Sequence, residues 1–214
     1  MQYVLRTFVV MFRLNDFLGV DRPLILASAS PRRRHLLTHI GLDFQVVVAD
    51  VNEDTVSTST PPDEYVSVLA TLKARTVAEA QSLPAYVIGS DTTVVLDGEI
   101  LNKPASEAEA RCMLRKLSNR THTVFTAIAI VDSASMRTIT AVRNTNVEFR
   151  ELDDLEIDAY VATGSPMDKA GAYGIQDDFG AVFVRKVDGC YYTIVGLPLE
   201  LLYTTLKTFV TEAT

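Results

Sequence analysis

Four short segments carry the residue types that phosphate chemistry needs. In Ser28-Ala-Ser-Pro-Arg-Arg33 an apolar run gives way to a helix start, which sets unpaired backbone N–H groups beside two guanidinium groups. Helix dipole, free donors and forked cations together suit an anion such as phosphate. The plainer alternative is an ordinary N-cap followed by solvated arginines, with Arg34 extending the exposed run. In Gly89-Ser-Asp-Thr92 the preceding apolar Tyr86-Val-Ile88 puts Asp91 at the end of a buried strand, where open α/β sheets bind ligands. A carboxylate there can hold Mg2+ or activate water, or it can simply cap a turn.

Glu53, Lys73 and Lys103 form a third group. Each alone reads as a solvated charge, and they gain meaning only by convergence, which spacing does not prove. The fourth segment is Asp168-Lys-Ala-Gly-Ala-Tyr-Gly-Ile-Gln176, in which glycines and small residues allow a backbone to approach a ligand. Gln176 has donors and acceptors that can read a base edge, whereas a structural Gly-rich turn is the competing view. His35 and His39 lie four apart on one helix, a metal-capable spacing, but without a carboxylate nearby in sequence they read as surface histidines. Neither a Walker GxxxxGK[ST] nor a Rossmann GxGxxG sequence occurs.

Strands and helices must alternate to position these groups. Leu24 to Ala27 suits a buried strand, and Ser30-Pro31 opens a helix that Gly41 closes. Phe44 to Val48 reads as a second strand. Tyr65, Leu69, Leu72 and Ala80, with Val68 and Val77, predict a helix over 63–80. Tyr86 to Ile88 and Thr93 to Leu96 read as separate strands, and Asp97-Gly98 turns into Glu99 to Leu101. Ser106 and Glu109 form a capping box for a helix ending near Leu117. Long paired strands are expected at 124–131 and 137–149, a helix at 155–162, and a hairpin of 181–187 with 191–195. Pro198 starts a final helix. This order implies an α/β fold, a mixed sheet with helices packed on it.

The chain has 214 residues, 48% hydrophobic and 22% charged, as a globular domain should be. Its net charge of -7 argues against tracking a nucleic-acid backbone but not against a small polyanionic substrate. Cys112 and Cys190, far apart, indicate neither a disulfide framework nor a zinc site, and Cys112 reads as a buried small hydrophobe. A reducing compartment is the default. No apolar run reaches the roughly 18 residues of a membrane span. The stretch YVLRTFVVMF, interrupted by Arg6, lacks a cleavage site and reads as an added element on the domain surface, with organelle targeting as the alternative.

Taken together, ASASPRR, the Glu53 region, LKAR, GSDTTVV, LNKP, LSNRTHTVFT, DKAGAYGIQ and YTIVGLPLELL resemble the Maf family of nucleotide pyrophosphatases. The likeness runs from Leu24 to about Leu206, so residues 1–22 stand as an N-terminal extension and 23–214 as the Maf-like domain. The resemblance implies a curved mixed sheet in two lobes around a cleft, similar to inosine-triphosphate pyrophosphatases. It implies cleavage of nucleoside triphosphates to monophosphate and pyrophosphate with a divalent cation, Mg2+ or Mn2+, usually by cytoplasmic homodimers with a house-cleaning role. GSDTT and DKAGAYGIQ are similar to the dTTP/UTP branch, which makes Thr92 and Gln176, with Arg32, specificity residues. By the same resemblance Asp91 is the proton acceptor; Glu53, Lys73 and Lys103 complete the catalytic group, Asp91 and Glu53 hold the metal, and Ser28, Ser30, Arg32, Arg33, Thr92, Asp168, Lys169 and Gln176 bind substrate. Asn119, Ser165 and Asp177 depart from the usual LSG, GEP and GIQG, which puts substrate range in question. A noncatalytic nucleotide-binding regulator linked to cell division is the rival reading.

Overall fold

A computed structural model describes residues 13–176 and 178–212; the whole of YVLRTFVVMF and Asp177 lie outside the described residues. In chain order the elements are α1 (Leu14–Leu18), β1 (Leu24–Leu26), α2 (Pro31–His39), β2 (Gln45–Val46), α3 (Pro62–Glu79), β3 (Tyr86–Leu96), β4 (Glu99–Leu101), α4 (Glu107–Leu117), β5 (Thr121–Asp132), β6 (Thr138–Phe149), α5 (Asp154–Ala162), β7 (Val184–Asp188), α6 (Tyr191–Val195) and α7 (Leu199–Thr211). The strands form one mixed sheet in the order β2-β1-β3-β5-β6-β7, with β4 also on β3. β1 runs parallel to β2 and β3, and the remaining pairs are antiparallel.

Side-chain alternation along the strands builds the core. Tyr86 and Ile88 of β3 join Leu24, Leu26, Ile128 and Ile130 under α2 and α7. Val87 points to the opposite face, with Ile25, Ala127 and Ala129 beneath α3. The far halves of the same long strands, including Val94, Leu96, Val124 and Phe149, pack against α4 and α5 in a third cluster. Hydrophobic packing therefore gathers at two ends of the sheet. Between them β3 carries Ser90, Asp91, Thr92 and Thr93.

That polar stretch lies at a gap in the sheet. One edge of β3 is paired with β5 from Tyr86 to Val95. The other edge pairs with β1 at Tyr86 to Ile88 and with β4 at Val94 to Leu96, so among the described residues 89–93 has no strand beside it there. The expected break after Ile88 is thus a correction: Asp91 sits mid-strand, and it is the parallel neighbour β1 that stops. Gly-Ser-Asp is turn chemistry locally, but the uninterrupted ladder to β5 overrides a weak local preference.

Most expected helices are present. Ser30 caps α2 by accepting from the Arg33 N–H, with Pro31 at the first helical position. Asp97 and Gly98 both adopt positive φ, as a two-residue turn between β3 and β4 requires. Ser106 Oγ accepts from Glu109 N at 3.2 Å, but the Glu109 carboxylate reaches Ala105 N rather than closing the box on Ser106. The strand expected at 44–48 is only Gln45–Val46.

Two further expectations are corrected. Tyr191–Val195 is a short helix rather than a hairpin strand, started at Cys190 and stopped at Gly196. Its β-branched residues suggest a strand, yet Thr193 and Val195 are buried on one turn, and five residues carry too little propensity to resist tertiary packing. Residues 178–183 are a 3-10 segment leading into β7. Cys112 is exposed: α4 buries Ala110, Met113, Leu114 and Leu117, and position 112 falls off that stripe. α1 contacts α7, with Leu18 buried in the core, and among the described residues no helix is long and apolar enough to cross a membrane.

His122 on β5 has a consequence for stability. Its ring is buried against Phe149 and Tyr173, with Nε2 2.7 Å from the Tyr173 hydroxyl and Nδ1 without a partner among the described residues. Burial disfavours the imidazolium and lowers the pKa to about 4. A folded pKa below the unfolded value means that this stability is intact above about pH 6.5 and is lost as pH falls towards 4. The loss is about 3 kcal/mol. Urea titrations of His122→Phe should show a flatter decline than wild type between these pH values; equal slopes would show that His122 does not drive the effect.

Candidate active site

The centre of the cleft is a lysine between two carboxylates. Tyr65, Leu69 and Lys73, at i, i+4 and i+8 of α3, form one stripe facing the gap in the sheet. Lys73 is only 9% exposed. Its Nζ lies 2.5 Å from Asp91 Oδ1 and 2.8 Å from Glu53 Oε1. Asp91 reaches it from the α3 face of β3. Glu53 reaches it from a 3-10 turn, Glu53–Thr55, which Asn52 caps by accepting from Asp54 N.

Burial separates the two acids. Desolvation pushes the Asp91 carboxyl above its ordinary value, and the charges of Lys73 and Arg33 offset this only in part. Glu53 is also penalised by burial, but there the hydrogen bond and charge of Lys73, with Lys103 and Arg33, win and hold it below its ordinary value. One carboxylate is thus firmly ionised and the other is the stronger base. Such divergence between neighbouring acids is common at catalytic sites.

The opposite face of β3 presents Thr92, and here Arg33 acts as a tie. Its Nε donates to Gly196 O at 2.8 Å, one terminal nitrogen to Ser28 Oγ at 3.2 Å and the other to Thr92 Oγ1 at 3.1 Å. Thr126 Oγ1 donates to Thr193 O, so the 3.0 Å contact between Thr92 and Thr126 is donated by Thr92. Arg33 thereby joins α2, β3 and the loop after α6. Replacing it with Lys keeps the charge but loses the fork. Arg33→Lys should unfold about 2 kcal/mol more easily in urea; an unchanged midpoint would show that the three bonds do not hold the elements together.

The remaining expected residues lie around the same cleft, a cavity of about 440 Å3. Ser28, Ser30, Lys103, Asp168, Lys169 and Gln176 all line it. Arg32 on α2 donates to Asp168 Oδ2 at 2.8 Å, which bridges the two ends of the molecule. Lys169 is buried and donates to Ser165 O at 2.6 Å and Asp168 Oδ1 at 2.7 Å. Lys103 and Gln176 are exposed at the rim. Every residue expected to take part is therefore gathered into one cleft. His35 and His39 are exposed and lie outside it.

Asp91 and Glu53 offer hard oxygen donors, and each makes its ion pair with Lys73 through one oxygen. Two carboxylates on the wall of the cleft are the donor type that Mg2+ or Mn2+ takes, commonly one or two carboxylates together with substrate oxygens.

The model of the Maf-like protein family matches residues 23–209. The chain belongs to the Maf-like family. A dTTP/UTP pyrophosphatase of Salinibacter ruber is 50% identical over 194 residues, covering 91% of this chain and 94% of the relative. One from Dictyoglomus thermophilum is 46% identical over 188 residues, covering 88% and 96%. Among solved structures, a HAM1 protein from Coxiella burnetii is 17% identical with a TM-score of 0.44, covering 89% of this chain and 99% of that one.

Two departures from the usual Maf pattern now have local explanations. Asn119 has a φ of +54°, a region in which glycine is easiest and asparagine is the next best tolerated, so the turn accepts the change. Ser165 supplies a carbonyl and a hydroxyl to Lys169. Asp177 lies outside the described residues. The Maf-like cleft also contains Tyr65 and Asn102, to which the sequence reading assigned no chemistry. In sequence Tyr65 reads as one of the apolar helix positions and Asn102 as part of LNKP. The i, i+4, i+8 spacing of Tyr65 from Lys73 was the available signal.

Proposed function

We propose that this Maf-like chain hydrolyses dTTP and UTP to the nucleoside monophosphate and pyrophosphate, clearing or balancing nucleotide pools. The observation that carries the reading is buried Lys73 between Asp91 and Glu53 in a cleft bordered by Arg32, Arg33 and Lys103. Relatives of 46–50% identity that bear the name dTTP/UTP pyrophosphatase support the choice of substrate.

A triphosphate repels any anionic nucleophile, so cations must gather first. Arg32 and Lys103 meet the phosphates at the rim, Lys73 meets them at the floor, and Arg33 adds charge from behind. Asp91 takes a proton from water as its oxygen bonds to the α-phosphorus; the α–β bridging bond breaks and its electron pair leaves with pyrophosphate. Glu53 keeps Lys73 oriented towards the reacting phosphate. A divalent cation held by Asp91 and Glu53 belongs to the same proposal and would supply charge neutralisation to the phosphates. Thr92 contributes through Arg33, and Gln176 reads the base from the rim.

Pyrophosphate and monophosphate should appear together from dTTP and UTP with Mg2+ or Mn2+, more slowly from CTP and purine triphosphates, and not after chelation by EDTA. Triphosphate binding without pyrophosphate release would favour the regulatory reading instead. A homodimer in the cytoplasm, as the family resemblance implies, is part of the proposal, tested by light scattering and cell fractionation.

A further inference from the structure

Tyr65 and Asn102 connect three walls of the cleft. Asn102, at the exit of β4, accepts from Thr93 Oγ1 through Oδ1 at 3.3 Å and donates from Nδ2 to the Tyr65 hydroxyl at 2.9 Å. Its main-chain carbonyl also accepts from Gly171 N, in the DKAGAYGIQ segment. Lys103 follows it directly. Thr93 is two residues from Asp91 and therefore shares its face of β3. A single residue thus ties α3, β3 and the glycine-rich segment together, the first two through its side-chain amide and the third through its main chain.

The polarity of these bonds matters. The Asn102 carbonyl oxygen is taken by Thr93, so its NH2 faces Tyr65 and the phenol is the acceptor. The phenol's own proton has no acceptor among the described residues. Tyr65 is 3% exposed, its ring is in the core under α3, and it lines the cleft with Lys73 and Asp91. Burial raises its pKa, with Asp91 and Glu53 adding to the effect, so the phenol keeps its proton at neutral pH. A rigid, buried, protonated O–H facing an anion site is a donor awaiting an acceptor.

We propose that Tyr65 is a substrate-binding residue that donates a hydrogen bond to a phosphate oxygen of the bound triphosphate, and that Asn102 is the positioning residue that aims it. The proposal rests on the nucleotide reading of the cleft. Asn102 prevents the phenol from turning its proton inward, and it sets the start of the Lys103 loop in the same act.

The test uses full-length protein, dTTP as substrate and α,β-methylene-dTTP as an unreactive ligand. Tyr65→Phe keeps the ring and removes only the hydroxyl. We expect analogue affinity and kcat/KM to fall together, by roughly 10- to 100-fold, the size of one hydrogen bond to a charged group, with Tm nearly unchanged. Asn102→Ala should reproduce part of this loss. In the Tyr65→Phe/Asn102→Ala double variant the two effects should fall well short of multiplying, because both act through one bond. Wild-type affinity and kcat/KM in Tyr65→Phe would overturn the proposal while leaving the enzymatic reading intact, as would fully multiplicative effects in the double variant. Should Tyr65→Phe fold poorly, wild-type affinity and kcat/KM in Asn102→Ala overturn it as well. Wild-type protein that binds the analogue but does not cleave dTTP would sink the enzymatic reading alone, and the affinities then decide on Tyr65. Failure to bind the analogue at all overturns both.

Discussion

Asp91→Asn should lower the rate of pyrophosphate release by about 10²- to 10⁴-fold, the range lost when a general base is removed. The substitution is nearly isosteric. Asn keeps an oxygen to accept from Lys73, and Glu53 still holds the ammonium at 2.8 Å, so the floor of the cleft stays assembled. Stability should hardly suffer. Asp91 has a folded pKa above its ordinary value, so its contribution favours the folded state at low pH and is lost as pH rises through that pKa. Near neutrality the buried carboxylate is therefore a cost that Asn removes. The pH profile adds a signature: wild-type activity should climb with pH through the raised pKa of Asp91, and the residual activity of the variant should lack that limb. Near-normal turnover by a folded Asp91→Asn protein would show that the base lies elsewhere. A rate loss accompanied by unfolding would show instead that the carboxylate is structural.

The second large effect concerns Gly89, which carries no chemistry. It lies on the α3 face of β3, where the helix backbone comes close. A Cβ built there would stand 2.2 Å from the Ala70 carbonyl oxygen and 2.9 Å from both the Cβ and the N of Ala74. Two of these three atoms are main chain, so α3 must move as a body. Overpacking typically costs 1–3 kcal/mol, and a clash with a rigid backbone belongs at or above the top of that range. Gly89→Ala should therefore destabilise the protein by about 3 kcal/mol and lower Tm by roughly 10 °C. Because α3 carries Lys73, its displacement should also open the 2.5 Å contact to Asp91 and depress activity in whatever protein remains folded. Differential scanning calorimetry together with turnover per folded molecule checks both parts. A variant with wild-type Tm would mean that α3 yields without cost and that the close approach of helix and strand is not what sets the lysine in place.

Legibility differed between the elements for definite reasons. α3 was readable because helical periodicity repeats over several turns, and α4 because Ser106 marks its start. The long pair β5 and β6 was readable because both are long runs rich in β-branched residues. β3 divides in sequence because Gly-Ser-Asp looks like a turn, and only the continuous pairing with β5 from Tyr86 to Val95 shows otherwise. The five residues of α6 were misread because a short β-branched run has no period to consult, and Cys112 because one residue's place on a helix follows from its neighbours' packing.

The kinds of group in the cleft were determined by the chain alone: the carboxylates Asp91, Glu53 and Asp168, the lysines Lys73, Lys103 and Lys169, and the arginines Arg32 and Arg33, in motifs characteristic of the Maf-like family. Tertiary structure decided their relations. It put Asp91 beside a gap between β1 and β4 rather than at a strand end, turned Arg33 into a tie and Arg32 into a bridge, and set the core residue Tyr65 against the wall of the cleft. The physical reason is that periodicity reports which face of an element is buried, whereas charge pairing depends on distances between elements, and those are set by how closely backbones pack.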